Sequence, residues 1–203
     1  MDRNLWLIRL TLLGVVFVLE MAPVAIAAPT VKGDTAAWND VVAAYRRLYA
    51  LPGYRMRITF PDGRVATAEF ARPDAHWSVP TPQGPGDSYL VGGVYVVQRG
   101  GRCTRLQTGR PNVPDVNLTN YKGEVTVGRK PDTTIDGLPV RDYAYVQVSP
   151  GGSQSRGDVY LAVQTGLPRR VVNIAVKRTG ESQQPNTIDY YDYGAKITIT
   201  PPC

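Results

Sequence analysis

The residue types that carry most enzyme and metal chemistry are scarce in this sequence. There is one histidine, His76, so no multi-histidine metal site can be built and a Ser-His-Asp triad would depend on that residue alone. Next to Trp77 it reads as a surface or structural histidine rather than a base. Asp158, Asp189 and Asp192 sit at spacings that match no calcium-ligating loop and read as a solvated strand edge. No GxGxxG in a strand–helix setting, Walker loop, GxSxG or HExxH occurs. The chain nominates no catalytic residue, no metal and no cofactor, and it reads as a non-enzyme.

Two residue types remain informative. Cys103 and Cys203 are the two cysteines, the second being the last residue. In an exported chain such a pair reads as a disulfide in preference to two free thiols. Closing a loop of about 100 residues would contribute roughly 4.7 kcal/mol in the chain-entropy account. Neither cysteine follows the N-terminal segment in a Leu-x-x-Cys setting, so lipid attachment there is not expected. Tyrosine is abundant, at 12. Tyr143 and Tyr145 share one strand face, and Tyr190, Tyr191 and Tyr193 cluster late. Their hydroxyls suit a sugar or headgroup, although strand propensity alone also accounts for them.

The export reading comes from residues 1–28. A short polar start with Asp2 and Arg3 leads to a mostly apolar stretch, Leu10–Leu19, and then to Ala25-Ile26-Ala27, a small-x-small cleavage pattern. Glu20 interrupts the apolar run, which argues against a membrane-spanning helix; an uncleaved anchor is the lesser alternative. The remainder, about 175 residues, is the size of one domain with a real core. Removing the segment takes two basic and two acidic residues, so the net charge stays at +6. The positive charges form no run, which excludes an obvious nucleic-acid surface. A mild preference for anionic headgroups or cell-wall polymers is compatible with them.

The positioning elements follow from periodicity. Trp38, Val41, Val42, Tyr45 and Leu48 recur at three- and four-residue steps and predict an amphipathic helix over Thr35–Ala50. Asp34 or Thr35 can cap its start, and Pro52-Gly53 ends it. From Tyr54 the period becomes two: Tyr54, Met56, Ile58 and Phe60 face one way, Arg55, Arg57 and Thr59 the other. This basic stripe is also a candidate for docking a membrane or acidic partner. Pro61-Asp62-Gly63 turns this strand into 64–70. Further strands are predicted around 75–79, 88–98, 102–106, 123–128, 140–148, 157–164, 170–176, 187–193 and 195–200. Residues 107–122 read as a long loop, with room for a short helix, and contain a formal sequon at Asn117. The pattern predicts about nine to eleven strands, mostly antiparallel, in a curved sheet with a helix packed on it, an α+β fold.

Three segments carry a family likeness: GGVYVVQRGGRCTRL (92–106), DVYLAVQTGLPRRVV (158–172) and IDYYDYGAKITITPP (188–202). With the leading helix, they resemble the LolA-like superfamily of periplasmic lipoprotein and lipid carriers, over about residues 36–202. The resemblance implies one half-barrel domain over 29–203, an unclosed barrel whose concave face is covered by the helix above an apolar cavity. Trp38, Val42, Tyr45, Met56, Ile58, Phe60, Tyr143 and Tyr145 are the candidate cavity-lining residues, though each also suits an ordinary core. The family usually offers a second lid helix, for which 107–122 is the candidate here. The implied function is binding of a lipid or acylated protein by a periplasmic monomer, with membrane-surface or envelope-protein contacts. The alternative is an envelope sensor or interaction module that binds a protein partner with the same fold.

Overall fold

The computed structural model describes residues 29–82, 84–106, 123–177 and 179–203. The expectations placed on residues 1–28 and 107–122, a signal segment and a second lid helix, lie outside these. The elements in chain order are β1 (Thr30–Gly33), α1 (Thr35–Ala50), β2 (Gly53–Thr59), β3 (Val65–Ala71), β4 (Asp74–Thr81), β5 (Gly84–Val91), β6 (Val94–Arg99) and β7 (Arg102–Leu106). There follow β8 (Glu124–Arg129), β9 (Thr133–Ile135), β10 (Leu138–Val148), β11 (Gln154–Ala162), β12 (Pro168–Val176) and β13 (Asn186–Tyr191).

Among the described residues these strands make one thirteen-stranded sheet in the order β1-β8-β10-β11-β12-β13-β2-β3-β4-β5-β6-β7, with β9 beside β10. The sheet does not close on itself, since β1 and β7 are its two ends. Among the described ladders only β1, beside β8, pairs in parallel; the rest are antiparallel, as short turns require. The strand number exceeds the nine to eleven expected for identifiable reasons. β1 and β9, of four and three residues, are too short to show a period. The segment 88–98, read as one strand, is two, because Gly92 (φ 55°) and Gly93 (φ 81°) form a hairpin turn that needs positive φ at both positions.

The helix has the predicted limits. Asp34 caps it, its carboxylate accepting from the amides of Ala36 (2.8 Å) and Ala37 (3.0 Å). Leu51, ahead of Pro52, is already extended. The buried stripe is Ala37, Trp38, Val41, Ala44, Tyr45 and Leu48, the alanines letting the backbone approach the sheet. The helix packs on β8, β12, β11 and β1.

The segment 195–200, expected to be a strand, enters no ladder. β13 lies between β12 and β2, so both of its edges are taken and a chain turning back from it has nowhere to pair. Asp192 (φ 52°) and Gly194 (φ 76°) make the turn, and the Gly194 amide donates to the Gly53 carbonyl at 2.8 Å. The tail then crosses the outer face of the sheet as an extended strap. It passes so close to Gly53 that a Cβ there would stand 2.5 Å from the Ala195 carbonyl oxygen. Ala195, Ile197, Ile199 and Pro201 are half-buried, while Lys196, Thr198 and Thr200 are exposed. The strap ends at the far edge strand, where Cys203 is bonded to Cys103 and its carbonyl accepts from Arg105 at 3.0 Å. Val96, opposite Arg105 in register, is buried there.

Candidate functional site

The concave face is built by register. Tyr145 pairs with Val127, Tyr143 with Val159, Val159 with Val171, Val171 with Ile188, Ile188 with Ile58, and Tyr190 with Met56. Because side chains alternate along each strand, these residues line one face across six strands. Trp38, Tyr45, Met56, Ile58, Tyr143 and Tyr145, all named from the sequence, join one buried cluster here, with Val42 and Phe60 packed at its margin. Tyr45 meets Tyr190 edge-on at 6.3 Å.

Buried phenols need partners, and those partners define how the helix is held. Tyr143, fully buried, donates its hydroxyl to Asp40 Oδ2 at 2.7 Å and accepts from Arg129 at 3.2 Å. Arg129 also lies over the Tyr143 ring, 5.0 Å from its centre. One side chain thus joins the helix to β10 and β8. Tyr145 reaches over Gly157 to Asn173 Oδ1 at 2.8 Å, its two flanking strands being in register with that glycine. Burial pushes the phenols of Tyr145, Tyr143 and Tyr193 above their ordinary value, with Asp40 adding to the effect on Tyr143. They act as neutral donors, not as bases.

The helix covers only one end of this face. Beyond it Trp77 lies edge-on to Phe70 at 5.9 Å, and Phe70 stacks on Tyr54 at 4.5 Å. Further out the row continues through Leu90 and Tyr95, and beside it through Val97. These three are half-exposed, and Val79, two residues past Trp77, is 40% exposed. Among the described residues the concave surface therefore changes from buried core beneath α1 to half-exposed apolar sheet on β4–β6.

The outer face is polar. Arg55 bonds Glu69 (2.7 Å) and Asp192 (2.8 Å). His76 stacks on Tyr89 at 4.4 Å, with Nε2 3.1 Å from Asp87. Asp158, Asp189 and Asp192 each meet a different cation: Lys130, Arg170 and Arg55. Sequence reasoning missed Asp40 and Arg129. Asp40 interrupts the apolar face of a helix otherwise flanked by Trp38 and Val41, the one sign that it meets a buried donor.

No family model and no curated protein sequence matches the chain. Solved structures do. The Mycobacterium tuberculosis lipoprotein LppX superposes with a TM-score of 0.61 at 13% identity, over 83% of this chain and 100% of that one. LprF from Mycobacterium bovis superposes with a TM-score of 0.54 at 15% identity, over 87% and 99%. At such identity the likeness is one of architecture: an open, curved, mainly antiparallel sheet with a helix on its concave side. The chain shares the open half-barrel fold of these two structures.

Proposed function

We propose that this chain is an exported carrier that holds the acyl chains of a lipid or an acylated protein on its concave face, with α1 as a displaceable cover. The observation that carries this reading is the half-covered apolar face. Tyr45, Met56, Ile58, Tyr143 and Tyr145 lie buried in one cluster with the inner face of the helix, and among the described residues the same surface runs on, half-exposed, through Leu90, Tyr95 and Val97. In this reading Trp38, Val42 and Phe60 are the residues an entering chain would meet between cover and sheet.

The energetics permit exchange. Lifting the helix re-exposes Trp38, Val41, Tyr45 and Leu48, at about 1.5–3 kcal/mol each, whereas an acyl chain of about 16 carbons recovers on the order of 10 kcal/mol. The two sums are of the same order, so ligand and helix can compete for one surface. No catalytic group is needed; shape and dryness suffice.

The test is native mass spectrometry of protein purified from the exported fraction, followed by denaturation and solvent extraction. A species of lipid mass that leaves on denaturation is the expected result. Protein that stays empty across growth conditions and with added lipids would overturn the carrier reading and favour a protein-binding module.

A further inference from the structure

Strand β12 carries a bulge on its first turn. Tyr160 pairs with Arg170 and Leu161 with Pro168, leaving Arg169 as the extra residue with no partner opposite. A bulge breaks alternation and lets two successive side chains point to one side. Arg169 and Arg170 here line the same concavity, with Arg57, Asp136, Asp189 and Tyr191, a space of about 360 Å³ on the outer face of the sheet.

The partners within it are unevenly distributed. Arg170 Nε bonds Asp189 at 2.5 Å and its Nη2 is 3.5 Å from Asp136. Arg169 reaches Asp136 Oδ2 and the Tyr190 carbonyl, each at 3.1 Å, yet its Nε is shielded from solvent with no acceptor among the described residues. Arg57 is exposed and makes no ion pair among the described residues; its guanidinium lies over Tyr191, 5.7 Å from the ring centre. Three guanidinium groups against two carboxylates leave one positive charge unmatched.

We propose that this concavity is a binding site for a singly charged phosphodiester, held by Arg57 and the Arg169–Arg170 pair. Planar guanidinium groups match phosphate oxygens in pairs. The single unmatched charge suits a diester better than a dianionic monoester. Tyr191 offers an aromatic wall and a hydroxyl to the group esterified to it. Arg57 alternates with Met56 and Ile58, so the site faces away from the concave surface and stands whether or not that surface takes a lipid.

The experiment titrates the full chain with glycerophosphoglycerol, a soluble phosphodiester, followed by amide NMR shifts. In parallel the chain is cosedimented with phosphatidylglycerol vesicles and with vesicles of an uncharged galactolipid. Saturable shifts centred on Arg57, Arg170 and Tyr191 are expected. Arg57→Gln, which breaks no ion pair, weakens binding by at least about tenfold, while Arg99→Gln, an equal loss of charge elsewhere, leaves it within about twofold. Arg57-dependent sedimentation with phosphatidylglycerol alone assigns the diester to a bilayer headgroup; binding of the soluble diester without sedimentation assigns it to a free ligand. Absence of both effects, or equal weakening by the two substitutions, would overturn the proposal.

Discussion

The Arg47 guanidinium donates to the Gly166 carbonyl at 2.9 Å and also fills the space where residue 166 would carry a Cβ, 2.6 Å from Nη2. Arg47 lies in the last turn of the helix and Gly166 in the turn between β11 and β12. The cation therefore complements the helix C-terminus and ties that end of the cover to the sheet. Gly166 is in the left-handed region, at φ 64°.

Gly166→Ala should lower stability by about 1–2 kcal/mol, through backbone strain and displacement of Arg47, and lower Tm by roughly 3–6 °C. Arg47→Ala should cost less, about 0.5–1 kcal/mol, because the carbonyl it leaves is exposed and finds water. Thermal unfolding of the two variants checks this order.

At the other tie, Tyr143→Phe removes the hydroxyl shared by Asp40 and Arg129. It should cost about 1–2 kcal/mol, since the half-buried Asp40 loses its donor. Helix amides should exchange faster, and if α1 is the cover, uptake of a fluorescent fatty acid should quicken in step. Unchanged exchange in α1 would show that the tie does not hold the helix.

Asp142 is held above the usual carboxylate range by burial, with Asp158 adding to the effect and Lys130 and Arg129 opposing it. Its Oδ1 is buried without a partner among the described residues. A raised folded-state value means that its contribution is most favourable below the unfolded value, near pH 4, and is lost as pH rises through the folded one. Asp142→Asn should therefore raise Tm at neutral pH, and the advantage should shrink to nothing by about pH 3. A melting series across that range decides it.

The Cys103–Cys203 bond closes a separation of 100 residues. Cys203→Ser or reduction should cost roughly 2–5 kcal/mol against denaturant, near the chain-entropy value if the unfolded chain is otherwise unconstrained. Amide exchange should rise first around Val96 and Arg105, where the strap ends.

Much of this architecture is legible in the residues themselves. The helix limits follow from Asp34, the apolar stripe and Pro52, because capping and chain termination are local. The hairpin of β2 and β3 follows from Asp62-Gly63, and the two cysteines identify their own bond. What fails is non-local. Ile197 and Ile199 alternate with threonine as a strand would, yet pairing depends on a free edge, which β12 and β2 deny. The bulge at Arg169 shows only as an Arg-Arg doublet, which alternation would split between two faces. The Asp40–Tyr143 link spans 103 residues, and only the fold brings its ends together.

The position of β13 has a consequence for how the molecule assembles. Strands β2 to β7 form an uninterrupted meander, and β10 to β12 form another, each from neighbouring stretches of chain. The ladder joining the two runs through β13, which is synthesised after both of them. The meanders can form early, but the half-barrel acquires its width only when the C-terminal strand slots between them. Such late, long-range closure is the slow step in topologies of this kind. A chain halted before residue 186 would be left with two sheets and four open edges.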